Sequence, residues 1–323
     1  MLSDLHNRPV RGRFAPSPTG RMHLGNIFTA VLSWVSAKAQ GGSWILRIED
    51  LDPQRSKHHW ARLIEDDLQW LGLIPDEGGL DSTGPHGPYS QSLRTPLYEE
   101  ALEHLTATGL TYPCTCTRAD LHSVGAPHAS DGRIIYSGRC RPASLPCHDI
   151  RHCDTPHALR LYVPDRDISF DDMIFGGNSF NPARECGDFV LRRADGAWAY
   201  QLAVVVDDAL MGVTEVMRGC DLLSSAAWQI YLYELLGYKA PRWAHLPLLC
   251  NTEGRRLSKR DGSLNMETLR RQHTPGRILA AVGRLAHLIP DDVIEATPED
   301  LVRAWDINKI PAVDIITVSE DSI

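Results

Sequence analysis

From Val10 the chain reads in short apolar runs, then at helical spacing, then in short runs again. Val10-Arg11-Gly12-Arg13-Phe14 predicts a short strand. Residues 15–20 hold two prolines and a glycine and cannot form regular structure. From about Gly25 to Ala39, Ile27, Val31, Trp34 and Val35 fall on one face at helical spacing, and Gly41-Gly42 stops that helix. Trp44-Ile45-Leu46-Arg47-Ile48 predicts the next strand, ending at Glu49-Asp50. Strand, helix, strand in this order is a βαβ unit, which implies a parallel sheet.

Helical patterns continue over 57–71 and 94–109. Residues 111–157 then carry Cys, His, Pro and Gly with little periodicity, as an insert held by something other than a core would. Short strand-like runs cover 158–163 and 188–191. Trp198 to Val206 is a continuous apolar run that predicts a buried parallel strand closed by Asp207-Asp208. A helix is expected over Leu222 to Leu236. Leu246 to Leu249 precedes a charged loop at 251–263, and the rest of the chain to Ile323 reads as mostly helical. The expected fold class is α/β. A Rossmann-like parallel-sheet catalytic domain would occupy 1–110 and 199–263, with an inserted subdomain at 111–198 and a small helical region at 264–323. No internal repeat or low-complexity tract is visible.

Composition narrows the function classes. With 33 Lys plus Arg against 41 Asp plus Glu, the net charge is −8, which excludes a basic nucleic-acid coat. A local basic groove for RNA or a nucleotide stays open. No apolar run approaches the ~20 residues of a membrane span. The first residues lack the apolar core of a signal peptide, so a cytoplasmic location without membrane contact is the expectation. Eight cysteines are too few for a disulfide scaffold, yet five crowd 114–153.

Two segments stand out chemically. In the first, Ala15-Pro16-Ser17-Pro18-Thr19-Gly20 is followed by His23-Leu24-Gly25-Asn26, which opens a helix. A rigid loop at a strand's carboxyl end, with a helix N-terminus behind it, suits a phosphate or planar base. The histidine and glycine alone would more often be a tight turn with a surface histidine. In the second, Arg256-Leu257-Ser258-Lys259-Arg260 sets three cations and a serine before Asp261-Gly262. These could clasp a polyphosphate, although such a loop taken alone is most often simply solvated. A third cluster is Cys114, Cys116, Tyr136 and Cys140, whose spacing can close a tetrahedral metal shell. Cys147, His148, His152 and Cys153 are competing donors nearby.

Together the first two segments resemble the paired "HIGH" and "KMSKS" elements of class I aminoacyl-tRNA synthetases. With Arg47-Ile48-Glu49-Asp50-Leu51-Asp52 they resemble the glutamyl branch, over about residues 10–263. Asn26 and Arg256 depart from the usual residues while keeping hydrogen bonding or charge. Only 63 residues follow Arg260. On that length no anticodon-binding domain is expected, and this shorter form is similar to the glutamyl-queuosine tRNA(Asp) synthetase family. The resemblance implies activation of L-glutamate by ATP with Mg²⁺, then transfer to queuosine in the anticodon loop of tRNA(Asp), with no obligate protein partner. It implies that His23 and Lys259 are catalytic, and that His23, Gly25, Asn26, Ser258 and Lys259 bind ATP. It places glutamate on Arg13, Phe14, Ala15, Pro16, Ser17, Glu49, Tyr200 and Arg218. It supports a structural zinc on Cys114, Cys116, Tyr136 and Cys140. The core of an ordinary glutamyl-tRNA synthetase and a non-catalytic tRNA-binding paralogue remain as alternatives.

Overall fold

The computed structural model describes residues 9–121, 135–146, 155–257 and 264–323. The chain enters through the expected βαβ unit. β1 (Arg11–Phe14) leads to α1 (Leu24–Ala39), and β2 (Ser43–Leu46) returns parallel to β1, with Arg13 opposite Ile45. Gly42 makes the return possible, because a Cβ there would lie 2.2 Å from the Val10 carbonyl oxygen. α1 is apolar almost all round, as a helix covered on every side must be. The sheet lies on one flank and the C-terminal helices on the other, and Leu24, Ile27, Val31 and Val35 are fully buried.

α2 (His58–Trp70) and β3 (Glu77–Gly78) follow, with β3 parallel to β2, and then α3 (Thr95–Ala107). The next stretch holds β4 (Thr111–Cys114), α4 (Arg118–Leu121), β5 (Ala158–Leu161), β6 (Ile168–Asp172), β7 (Gly176–Phe180), α5 (Pro182–Glu185) and β8 (Phe189–Arg192). Here pairing turns antiparallel: β4 with β5, β5 with β8, and β6 with β7. The parallel theme resumes after α6 (Tyr200–Leu210), where β9 (Glu215–Gly219), α7 (Ser225–Leu235) and β10 (Arg242–Leu246) form a second crossover. β9 runs beside β1, joined where the Thr214 N–H donates to the Arg11 carbonyl at 2.9 Å. β10 in turn meets β6 at Trp243 and Asp172. β1 therefore has β2 on one side and β9 on the other, and a crevice opens at their carboxyl ends, where open α/β sheets bind ligands.

Two readings change. The run from Trp198 to Val206 is not a strand, because the chain is helical from Tyr200 to Leu210. A short apolar run fits a buried strand and a buried helix equally well, and burial on all sides erases the period that would tell them apart. Asp207 and Asp208 do not close a strand. They lie within α6 and are buried, at 0% and 3% exposure. The C-terminal region is helical over α8 (Met266–Gln272), α9 (Pro275–Leu285) and α10 (Pro298–Ala304). It also contributes β12 (Ile315–Thr317), which pairs parallel with β11 (Leu248–Cys250). Among the described residues no helix is long and apolar enough to cross a membrane.

Candidate active site

A cavity of about 480 Å³ opens at the carboxyl ends of β1 and β9. The loop after β1 forms its floor, and that loop is pinned rather than merely turned. The Glu49 N–H donates to the Pro16 carbonyl at 3.0 Å and the Lys57 N–H to the Pro18 carbonyl at 2.9 Å. The two prolines need no amide partners themselves, so their carbonyls can serve the segment after β2. Arg13, Phe14, Ala15, Pro16 and Ser17 all line the cavity, as do His23, Asn26, Glu49, Tyr200 and Arg218.

His23 and Asn26 cap α1 reciprocally. The Gly25 N–H donates to His23 Nδ1 at 3.2 Å, and the His23 N–H donates to Asn26 Oδ1 at 3.1 Å. Because Nδ1 accepts, the neutral ring carries its proton on Nε2, a donor suited to a phosphate oxygen. Gly25 does not line the cavity; a Cβ there would press on the His23 ring at 3.1 Å. Its bareness lets the histidine fold over its own helix end, where the helix dipole favours an anion.

Behind the wall lies a charge network. Arg47, fully buried, donates to Asp208 at 2.6 Å and to Glu49 at 3.1 Å. Asp207 accepts from Arg94 at 2.5 Å, Gln91 at 2.8 Å and the Tyr98 hydroxyl at 2.9 Å. Arg13 donates to the Met217 carbonyl at 3.2 Å and has Asp208 at 3.5 Å. Burial works against the Asp208 carboxylate, but Arg47 and Arg13 outweigh it and hold the group below the ordinary range. For Glu49 the balance goes the other way: burial pushes its carboxyl up from 4.5, against the pull of Arg47 and Arg13. Burial also raises the Tyr200 hydroxyl and lowers the Arg218 guanidinium. Arg218 is 5% exposed and has no carboxylate within 4.0 Å among the described residues. Its partners are neutral acceptors: His245 Nε2 at 3.0 Å, Gln229 Oε1 at 2.8 Å and the Leu222 carbonyl at 3.2 Å. A desolvated cation whose direct contacts are all neutral, facing a cavity, suits an anionic ligand.

Ser258 and Lys259 lie outside the described residues, as do Cys147, His148, His152 and Cys153. On either side of 258–263 the chain is tied down. The Leu257 N–H donates to the Leu249 carbonyl at 3.0 Å, and the Met266 N–H donates to the Met22 carbonyl at 2.9 Å. Asn265 bridges to His23, and Arg256 lines the cavity while pairing with Asp221. Arg256, at the start of the second segment, thus lines the same cavity as the first segment.

The sulfurs of Cys114, Cys116 and Cys140 lie within 4.8 Å of one another. Cys116 and Cys140 are 3.6 Å apart, and the Tyr136 hydroxyl lies 3.6 Å from Cys114 Sγ. A tetrahedral ion with ~2.3 Å metal–sulfur bonds needs sulfurs roughly 3.8 Å apart, so the cluster could hold a metal. The Tyr136 ring is fixed by the Cys140 N–H, which donates to its oxygen at 2.8 Å, and by Arg160 stacked 3.8 Å from its centroid.

Arg47, Asp207, Asp208, His245, Asp172 and Gln229 were not anticipated as site residues. A signal existed for some. Arg47 sits two positions before Glu49 and can share its side of the strand. Two carboxylates ending an apolar run, Asp207-Asp208, require buried cations. Nothing local marks Asp172 or His245 as partners, because they are 73 positions apart.

Residues 9–304 match the family described as tRNA synthetases class I (E and Q), catalytic domain. The chain is similar to the glutamyl-Q tRNA(Asp) synthetase of Symbiobacterium thermophilum, at 48% identity over 307 residues covering 93% of each chain. It is 44% identical over 314 residues to that of Nitratidesulfovibrio vulgaris, covering 96% of each. A crystal structure of a glutamate tRNA ligase from Elizabethkingia meningosepticum, in complex with its amino acid, matches with a TM-score of 0.83 at 32% identity. That match covers 98% of this chain and 68% of the ligase.

Proposed function

The chain belongs to the class I (E and Q) tRNA synthetases, among the glutamyl-Q tRNA(Asp) synthetases, and from that premise we propose that it activates L-glutamate with ATP and transfers the glutamyl group to queuosine in the anticodon loop of tRNA(Asp). One observation carries the reading: a single cavity gathers Arg13, Glu49, Tyr200 and Arg218 against the N-terminus of α1. Glu49 takes the substrate ammonium. Arg218 and Arg13 take the side-chain carboxylate, because a planar guanidinium matches a carboxylate fork. Ser17 and the backbone of 14–16 shape the site.

The α-carboxylate oxygen attacks the α-phosphorus of ATP. A new O–P bond forms, the bond to the β-phosphate oxygen breaks, and pyrophosphate leaves. A queuosine hydroxyl then attacks the acyl carbon of the adenylate, forming an ester and releasing AMP. No covalent bond to the protein is needed, so catalysis consists of positioning and charge stabilisation. His23 and Asn26 at the helix end, and by family resemblance Ser258 and Lys259, hold the phosphates. Mg²⁺ accompanies ATP and shares its charge. Gly25 contributes by bringing His23 onto the helix end.

In this reading 1–110 and 199–263 are two halves of a catalytic domain working in the cytoplasm, 111–198 is an insert, and 264–323 a C-terminal region. Cys114, Cys116, Tyr136 and Cys140 would hold a structural zinc, four protein donors leaving no open position for chemistry.

The test uses tRNA(Asp) lacking its 3′-terminal adenosine, with and without queuosine. Labelled glutamate should attach to the truncated tRNA only when queuosine is present. Attachment that requires the terminal adenosine and ignores queuosine would overturn the reading. Lys259→Ala should slow glutamate-dependent ATP–pyrophosphate exchange ~10²–10³-fold, the usual cost of one preorganised donor.

A further inference from the structure

We propose that His245 and Asp172 are positioning residues that hold the Arg218 guanidinium in one orientation and so make the pocket prefer a carboxylate over an amide. The proposal rests on the reading of Arg218 as the partner of the substrate's side-chain carboxylate. Its basis is a hydrogen-bonded line running across three adjacent strands. Arg218 on β9 is in register with His245 on β10, and β10 meets β6 beside Asp172. Arg218 Nε donates to His245 Nε2 at 3.0 Å, and His245 Nδ1 lies 2.6 Å from Asp172 Oδ2. His245 is 0% and Asp172 4% exposed, so water does not compete.

The groups at the two ends of this line set its proton directions, against the Leu222 carbonyl, which favours a proton on the ring. Asp172 Oδ1 accepts the N–H groups of Ile174 and Phe175, both at 2.9 Å, and the His245 N–H reaches Oδ2 at 3.2 Å. An ionised carboxylate can only accept, so His245 Nδ1 must carry a proton. A guanidinium can only donate, so His245 Nε2 must be bare. The ring is therefore the neutral Nδ1–H tautomer, and burial beside the Arg218 charge favours neutrality too. Protonation, or the other tautomer, would set two donors face to face.

This has a consequence at the substrate. A guanidinium has five N–H groups. His245 takes the one on Nε, Gln229 one on Nη1 and the Leu222 carbonyl one on Nη2. Gln229 is itself steadied by donating to Gln201 Oε1 at 2.8 Å. The terminal nitrogens keep N–H groups beyond these bonds, beside the Tyr200 hydroxyl, and these can serve a two-oxygen acceptor. A carboxylate satisfies them. An amide offers one oxygen and turns its own donors toward the other. Discrimination depends on the guanidinium staying in plane, and His245 is the group that fixes its Nε edge.

The experiment is glutamate-dependent ATP–pyrophosphate exchange on the full chain without tRNA, with glutamine as competing substrate. Asp172→Asn keeps the oxygen that serves Ile174 and Phe175 but presents an amide donor to His245 Nδ1, which reverses the ring tautomer. Asp172→Asn and His245→Ala should each raise the glutamate KM about tenfold to hundredfold, the range for losing a hydrogen bond to a charged group. KM for ATP and kcat should stay within about twofold, and the glutamate-over-glutamine ratio should fall by a similar factor to the KM rise. His245→Gln, whose side-chain oxygen can take the place of Nε2, should recover most of the glutamate KM. Unchanged KM and selectivity in both variants would overturn the proposal, as would equal losses in kcat and ATP affinity. If Arg218→Ala also leaves the glutamate KM unchanged, the underlying reading of the pocket falls with it. Nitrogen-15 resonances of His245 in the wild-type protein should report the Nδ1–H tautomer at neutral pH; the Nε2–H tautomer would refute the mechanism without any variant.

Discussion

Among the described residues around the pocket, every buried charge but Arg218 has an opposite charge within 4.0 Å. Arg47 has Asp208 and Glu49, and Asp207 has Arg94 with two neutral donors besides. In the stretch that carries the cysteines the balance differs. Among the described residues, the buried cluster at the three sulfurs holds Tyr112, Cys114 and Tyr136, far fewer than the two large clusters of the parallel-sheet region. Burial and neighbouring thiols push the Cys116 thiol up to about 12. Burial acts on Cys140 as well, but hydrogen bonds from the Thr115 backbone and adjoining groups bring it down to about 7. One region is finished by its own counter-charges, whereas the other gathers sulfur donors that could close on an added ion. The pocket should therefore survive loss of a metal, and the cysteine region should not.

The largest effect expected from this contrast follows metal removal. Structural zinc contributes on the order of 10 kcal/mol to small domains that lack a core. Purified protein should contain one zinc per chain, and Cys114→Ser/Cys116→Ser should lose it. Limited proteolysis should then cut within 111–198, while exchange with glutamate and ATP stays within about threefold. Full zinc retention in the double mutant would move the site to Cys147 and Cys153. Exchange falling in step with zinc content would show that the two regions are not independent.

A smaller, global effect is expected on the other side. Asp207→Ala leaves Arg94 buried without its carboxylate and takes the distant partner at 3.8 Å from Arg47 Nε. Breaking a buried pair in this way costs roughly 3–5 kcal/mol. Urea unfolding followed by tryptophan fluorescence should show a clearly lowered midpoint with zinc still bound. An unchanged midpoint would mean that the network contributes nothing net to stability.

The same contrast explains what the sequence could and could not reveal. The loop at 15–20 and the start of α1 were legible because proline, glycine and a capping histidine act locally. Cys114 and Cys116 stand out by their spacing, whereas Tyr136 and Cys140 join them by resemblance; the structure brings the three sulfurs and the Tyr136 hydroxyl near one another. The apolar run in α6 was misread because burial on all faces removed its period. Arg218 could be picked out by its motif, but the reason it is held in place could not. Its supports come from β10, α7 and the turn at Leu222, and only strand register brings His245 opposite it.

The smallest effect concerns Glu49, which sits between the two kinds of behaviour: it has Arg47 at 3.1 Å, yet burial still holds its carboxyl above 4.5. A carboxyl whose folded pKa is raised favours the protonated form in the folded state. Its contribution to stability is thus present below the unfolded value and lost as pH rises through the folded one. Ligand binding reverses the sign. A substrate ammonium beside Glu49 stabilises the carboxylate, so the complex holds fewer protons than the empty pocket. Glutamate affinity should increase as pH rises upward from 4.5 through the raised Glu49 value, then level off once Glu49 is ionised in the empty protein. The gain is about 1.4 kcal/mol for each unit by which the ligand lowers the pKa. The substrate's own side-chain carboxyl, with pKa ~4.3, titrates in the same direction, so the wild-type curve alone does not isolate Glu49. Calorimetry in buffers of different ionisation enthalpy counts the protons released, and Glu49→Gln should remove the part that persists above the substrate's own titration. Identical proton release in wild type and Glu49→Gln would show that the ammonium is met elsewhere, and that Glu49 belongs with Arg47 and Asp208 to the permanent wall of the pocket.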